Sequence, residues 1–231
     1  MINRLDELLA NPNLPIVVSL PENKLELAEA AIEAGADALK FHIHVNHRAS
    51  GNVFHGLEEY RDVFTAVREK FDGPIGIVIG DEINKVNEVD LQALKEVGFD
   101  YYSLYAKHVT SKLLLQDQLA QTVAVDDQFD PTHAKALEVL NLKALEISIV
   151  KGENYGSPLH LEDIVAYINY RKNTDLPLIV PSQKKLVSSD LKVLRDIGMN
   201  AVMVGAVTIG KTKESIYQTI SEFKAYLANL N

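Results

Sequence analysis

Four segments of the chain pass from the end of a helix into a strand in the same phrase: AGADALKFHIH, VGFDYYSLYAK, LNLKALEISIV and IGMNAVMVGAV. Each contains a residue suited to a left-handed helix end, namely Gly35, Gly98, Asn141 and Gly198, followed by a run of strand-forming residues. Five residues beyond these come Lys40, Ser103, Glu146 and Met203; two further on are His42, Tyr105, Ser148 and Gly205, and two more give His44, Lys107, Val150 and Val207. Side chains two apart on a strand share a face, so equal stepping predicts three tiers pointing one way. The alternate positions, such as Leu39, Phe41, Leu104, Leu145, Ile147, Val202 and Val204, are apolar except for the hydroxyl of Tyr102. That face suits packing against helices, which turns the polar face inward.

The alternation extends along the chain. Strand-like runs occupy 15–20, 38–45, 74–80, 101–107, 122–126, 144–150, 177–182 and 201–207, and amphipathic helical patterns fill the intervals. The weakest of these patterns is VTSKLLLQDQLA, and PTHAKALEVLNL is read as a helix. Alternating β and α units joined by short turns imply parallel strands with right-handed crossovers. Eight units in 231 residues predict one α/β domain over 1–231, a single (β/α)8 TIM barrel, with an open doubly wound sheet as the alternative. A short N-terminal helix with Ile2, Leu5, Leu8 and Leu9 on one face is expected across the barrel bottom, stopped by Pro12. The connections HVNHRASGNVFHG and KGENYGSPLH are longer than a joint requires, and both follow the strand ends where barrel sites are built.

With 23 basic and 32 acidic residues the formal charge is −9, which argues against nucleic-acid or anionic-membrane partners, since both need a basic face. A small soluble ligand is the expected partner, and a homodimer is compatible with the composition. Cysteine is absent, which excludes disulfides, thiolate nucleophiles and cysteine metal sites. No apolar run reaches signal-peptide or membrane-span length, so a cytoplasmic location is expected.

Lys40 and Glu146 fall in one tier on strands half a barrel apart, close enough for their long side chains to meet at the axis. An ion pair that merely plugs the core is the structural alternative, although such pairs are no strong source of stability. A carboxylate in a partly dry cavity can serve as general base while an ammonium donates to a developing enolate oxygen. A neutral Lys40 could instead attack a carbonyl and form a Schiff base, with Lys107 and Lys151 as rivals for that role. His42 is assigned to catalysis as an acid, base or hydroxyl ligand, and His44, Tyr105, Lys107, Ser148 and Lys151 to substrate binding. No cofactor is required by this reading. The H-x-H spacing of His42 and His44 also leaves a divalent metal open, with Asp81, Glu82, Asp126 or Asp127 as a third ligand. The loops after strands seven and eight hold phosphate in many barrels, which here points to Ser182, Gln183, Lys184, Gly205 and Ala206.

Carried by AGADALKFHIH, PIGIVIGDE and LRDIGMNAVMVGAV, the chain resembles the ribulose-phosphate-binding barrel superfamily over most of its length. The resemblance implies a barrel enzyme acting on a phosphorylated sugar as an epimerase, isomerase, aldolase or decarboxylase. Gly205 and Ala206 match half of that superfamily's phosphate motif, while Pro181, Ser182 and Gln183 stand where a Gly-Gly pair is usual. The D-x-K-x-x-D phrase of the hexulose-phosphate synthase branch is not present in GIVIGDEI. The expected activity is therefore isomerase or epimerase chemistry by proton transfer. A Schiff-base aldolase, a metal-dependent hydrolase and a catalytically silent ligand-binding barrel remain as alternatives.

Overall fold

The computed structural model describes residues 3–230, and Ile2 of the expected N-terminal face lies outside them. Strands β1 (Ile16–Ser19), β2 (Ala38–His42), β5 (Ile75–Val78), β6 (Tyr101–Tyr105), β7 (Ala120–Val125), β8 (Ala144–Ile147), β9 (Leu178–Pro181) and β10 (Ala201–Val204) close into a barrel, in which β10 pairs with β1. All of these pairings are parallel. The outer shell includes α2 (Leu25–Glu33), α3 (Leu57–Lys70), α4 (Ile83–Asn87), α5 (Leu91–Val97), α6 (Ser111–Leu114), α7 (Leu161–Asn173), α8 (Ser188–Asp196), α9 (Ala206–Ile209) and α10 (Lys213–Ala228). Leu39, Phe41, Leu104, Leu145, Ile147, Val202 and Val204 are buried in the large apolar layer beneath these helices. Among the described residues no helix is long and apolar enough to cross a membrane.

Gly35, Gly98 and Gly198 have φ of 91°, 107° and 84°, the left-handed reversal that turns a helix toward a strand. Asn141 does not repeat this. Pro131–Val139 forms a 3-10 helix in place of the expected α-helix, and Leu140 leaves it in an extended conformation, so no left-handed residue is needed. A second device, two residues past each turn, went unread in the sequence. Asp37 accepts a hydrogen bond from the Ile16 amide at 2.8 Å, Asp100 from Ile75 at 2.8 Å, and Asn200 from Leu178 at 3.0 Å. Each ties the start of one strand to the start of the preceding barrel strand, which sets the register. The fourth equivalent, Lys143, has no side-chain acceptor and instead pairs with Asp6 at 3.0 Å.

That pairing anchors α1 (Arg4–Leu9) under the barrel. Leu5, Leu8 and Leu9 pack there with Val17, Ala38, Tyr101, Ala144, Ile179 and Ala201, and each buried leucine contributes about 2 kcal/mol. Tyr101 fills the axis among three alanines, Ala38, Ala144 and Ala201. Gly76 makes room for it, because a methyl group there would fall within 2.6 Å of three Tyr101 ring carbons. The barrel bottom is thus a packed plug, leaving the opposite end to hold a site.

Two expected segments differ. VTSKLLLQDQLA contains only the single turn α6, which buries Leu113 and leaves Leu115 exposed. The connection after β2 is an antiparallel hairpin, β3 (Val45–His47) and β4 (Asn52–Phe54), where a loop was expected.

Candidate active site

Register places Ser19, Lys40 and Gly76 side by side on β1, β2 and β5, and sets Glu146 of β8 beside Ala124 of β7. Lys40 and Glu146 therefore reach the axis from opposite walls, and Lys40 Nζ donates to Glu146 Oε2 at 2.6 Å. Both are buried, at 2% and 3% exposure. The other carboxylate oxygen, Oε1, accepts from the Thr122 hydroxyl at 2.8 Å. Burial pushes the Lys40 ammonium below its ordinary pKa, opposed by the charge and hydrogen bond of Glu146. The pair forms the floor of a cavity of about 590 Å³ that opens at the C-terminal ends of the strands.

The second tier is also assembled. Tyr105 and Ser148 share a hydroxyl hydrogen bond of 2.8 Å. Gln183 Nε2 donates to Ser148 Oγ at 2.9 Å and to the Tyr155 hydroxyl at 2.6 Å, while its Oε1 accepts from the Val150 amide at 3.0 Å. Burial pushes the Tyr105 phenol up to about 12, so it stays protonated as a hydrogen-bonding group. His42 stacks on Phe54 with centroids 4.8 Å apart and meets the His47 ring at 4.4 Å. Its backbone is pinned by Asn23, whose Nδ2 donates to the His42 carbonyl at 2.6 Å. Burial, followed by the nearby His47 and Lys40, holds the His42 pKa well below its ordinary value. His47 is lowered to about 4 by burial and then by Lys40 and Lys211, and its Nδ1 lies 2.8 Å from Ser50 Oγ.

The third tier does not form. β2 ends at His42, and His44 adopts φ of 55° as the hairpin begins, so its ring packs near Gly56 and does not line the cavity. The H-x-H pair is thereby split. His47, five residues on from His42, takes the place expected of His44. Among the described residues no group of three His, Asp or Glu side chains is placed to hold one metal ion. Lys107 lies in a 3-10 turn at the rim, bonded to Asp126 at 3.2 Å and 5.2 Å above the Tyr105 ring. Val207 belongs to α9 and not to a strand. Lys151 is exposed and lines the cavity mouth.

Of the residues assigned to phosphate, Ser182 Oγ accepts from the Gly205 amide at 2.9 Å, and Gln183 is committed to the hydroxyl network described above. Lys184 is a correction. It is buried against Asp163 at 3.0 Å and Ser157 at 3.1 Å, away from the cavity, because α7 presents a carboxylate that neutralises it. Gly205 lines the cavity, whereas Ala206 opens α9 and does not. Thr122, Asn23, His47, Tyr155 and Arg48 all belong to the site or its walls and were missed. Thr122 carried a signal as an inward position on the fifth predicted strand, and His47, Arg48 and Tyr155 lay in the two long connections at the site end of the barrel.

No protein-family model matches the chain, and no curated protein matches it. Solved structures do. The tryptophan synthase A-subunit from Pyrococcus furiosus has a TM-score of 0.71 at 11% identity, covering 93% of this chain and 98% of that one. Phosphoribosyl anthranilate isomerase from Thermus thermophilus gives 0.66 at 14%, covering 94% and 100%. A 3-hexulose-6-phosphate synthase gives 0.65 at 15%, covering 92% and 99%. The likeness to these solved structures, with the closed parallel barrel of the chain itself, shows the (β/α)8 fold.

Proposed function

We propose that this chain is an enzyme that transfers a proton at carbon beside a carbonyl group, as an isomerase or epimerase of a phosphorylated sugar or a similar small polar carbonyl compound. The buried Lys40–Glu146 pair at the floor of a polar cavity carries the reading. Barrel interiors ordinarily fill such a tier with branched aliphatics, and an ion pair there adds little net stability. Its presence is better explained by chemistry.

In the proposed reaction Glu146 accepts the proton from the carbon next to the carbonyl. The electron pair of that C–H bond becomes the double bond of an enediolate, whose oxyanion accepts a hydrogen bond from the Lys40 ammonium. Isomerisation is completed when Glu146 returns that proton to the former carbonyl carbon while the hydroxyl proton of the neighbouring carbon passes to the oxyanion, so that the neighbouring carbon becomes the carbonyl; epimerisation is completed when a solvent-derived proton reaches the opposite face of the original carbon and Glu146 releases its own to water. His42, Tyr105 and Ser148 contact substrate hydroxyls. An isomerase and a synthase named for phosphorylated compounds among the structural neighbours support this class.

The test is deuterium incorporation from D2O into a panel of aldose and ketose phosphates, read by NMR. Exchange is expected beside the carbonyl in the native protein and is lost in Glu146→Gln, with an unchanged circular dichroism spectrum. A native rate in that variant removes the base assignment. A second reading is favoured by the lowered Lys40 pKa: the neutral amine adds to a carbonyl and expels water as a Schiff base, with Glu146 shuttling protons for carbon–carbon cleavage. A borohydride-trapped adduct mapped to Lys40 would replace the first reading with this one.

A further inference from the structure

Among the described residues, the cavity lining contributed by the ends of β9 and β10 contains no cation: Gln183 donates to Ser148 and Tyr155, Ser182 accepts from the Gly205 amide, and Lys184 lies outside the lining, paired with Asp163. Across the mouth the situation is reversed. Arg48, at the tip of the β3–β4 hairpin, and Lys151, just after β8, both line the cavity, and among the described residues neither has a carboxylate partner. The Arg48 guanidinium lies directly against Gly152. A methyl group on Gly152 would sit 3.1 Å from Arg48 Cζ and closer still to Nη1, so the approach depends on that glycine. Arg48 therefore lies beside the chain neighbour of Lys151. Lys211 adds positive charge to the same hairpin by donating to the Ser50 carbonyl.

The pattern of compensation elsewhere makes this cluster informative. Around the same cavity Lys40 has Glu146, Lys107 has Asp126, and Asp81 is taken by Lys85 and Asn46. The chain carries a formal charge of −9, so carboxylates are abundant, yet among the described residues none forms an ion pair with Arg48 or Lys151; the adjacent Glu153 does not line the cavity, and Asp127, which does, accepts from Gln128.

We propose that Arg48 and Lys151 form an anion subsite at the roof of the cavity that takes the phosphate of a phosphate monoester. A guanidinium fork matches two phosphate oxygens and the ammonium supplies a point charge. The phosphate then sits at the β2 and β8 side of the mouth and not beside β9 and β10. Only the identity of the rest of the ligand rests on the reaction proposed above. With the anion at the roof, the carbon chain runs down the barrel axis and brings its carbonyl to Lys40 and Glu146.

The experiment is titration with inorganic phosphate, followed by 31P NMR and calorimetry, on the native protein, Arg48→Ala/Lys151→Ala, Ser182→Ala and, as a control at an exposed lysine outside the cavity lining, Lys185→Ala. The roof residues are exposed, and thermal melts check that the variants fold. Expected is saturable binding that weakens by about tenfold or more in the roof variant and stays native in Ser182→Ala and Lys185→Ala. Absence of saturable binding to the native protein overturns the proposal, as does native affinity in the roof variant. Because affinity is read without turnover, phosphate binding through Arg48 with no deuterium exchange refutes the reaction and leaves the subsite standing. Exchange that requires Glu146, with native phosphate affinity in the roof variant, does the reverse.

Discussion

Replacing Lys40 with methionine isolates the energetics of the axial pair. Lys40→Met removes the partner at 2.6 Å and leaves Glu146, 3% exposed, with only the Thr122 hydroxyl to satisfy it. Breaking a buried pair in this way costs about 3–5 kcal/mol, whereas replacing both members with apolar residues of similar volume is neutral or stabilising by about 1–4 kcal/mol. The single variant is therefore expected to lose a large fraction of a typical stability of about 5–15 kcal/mol, and Lys40→Met/Glu146→Leu to recover it. The coupling between the two sites should amount to several kcal/mol. Urea unfolding followed by far-ultraviolet circular dichroism measures all four corners of the cycle, and tyrosine fluorescence supplies a second probe in a chain without tryptophan. An uncompensated carboxylate is relieved by taking up a proton, so the deficit of Lys40→Met should shrink as pH falls. The double variant should fold well and exchange no deuterium. A single-variant cost below about 1 kcal/mol, the scale of an exposed pair, would refute the buried-pair reasoning; native exchange in the double variant would remove the pair from the chemistry.

Gly76→Ala drives a methyl group into the Tyr101 ring and should destabilise the protein by about 1–3 kcal/mol through overpacking; Gly76→Ala/Tyr101→Leu should recover part of the loss in the same urea assay. The His47 pKa, lowered from 6.5 to about 4, means that the unfolded chain binds a proton in that interval while the folded protein does not. Stability therefore falls as pH drops from about 6.5 to about 4, and His47→Asn should flatten that part of a stability-against-pH profile. An unaltered slope in the variant would assign the effect to other groups.

The parts of the site legible in the sequence are those set by local stepping. A left-handed helix end at Gly35 places Lys40 on an inward position, the same count from Asn141 reaches Glu146 although Asn141 itself is not left-handed, and the hydroxyls of Tyr105 and Ser148 lie two residues further along their tiers. Stepping failed where the strand stopped. His44 departs because the chain reverses into a hairpin, Lys107 because a 3-10 turn begins at Ala106, and Val207 because α9 begins at Ala206. The register device at Asp37, Asp100 and Asn200 lay at a constant offset of two from the turn residue, so it was readable though unread. Lys184 could not be read correctly from its neighbours, since the carboxylate that captures it lies on a helix preceding it in the chain.

What the amino-acid order alone determined is the barrel and the amine facing a carboxylate across its axis, because both follow from short-range periodicity repeated in register. What only the folded molecule decided is which charges remain uncompensated at the mouth. Arg48 stands over the cavity because a hairpin from one wall meets Gly152 from the opposite wall, and electrostatic pairing depends on distance through space, which separation along the chain does not specify.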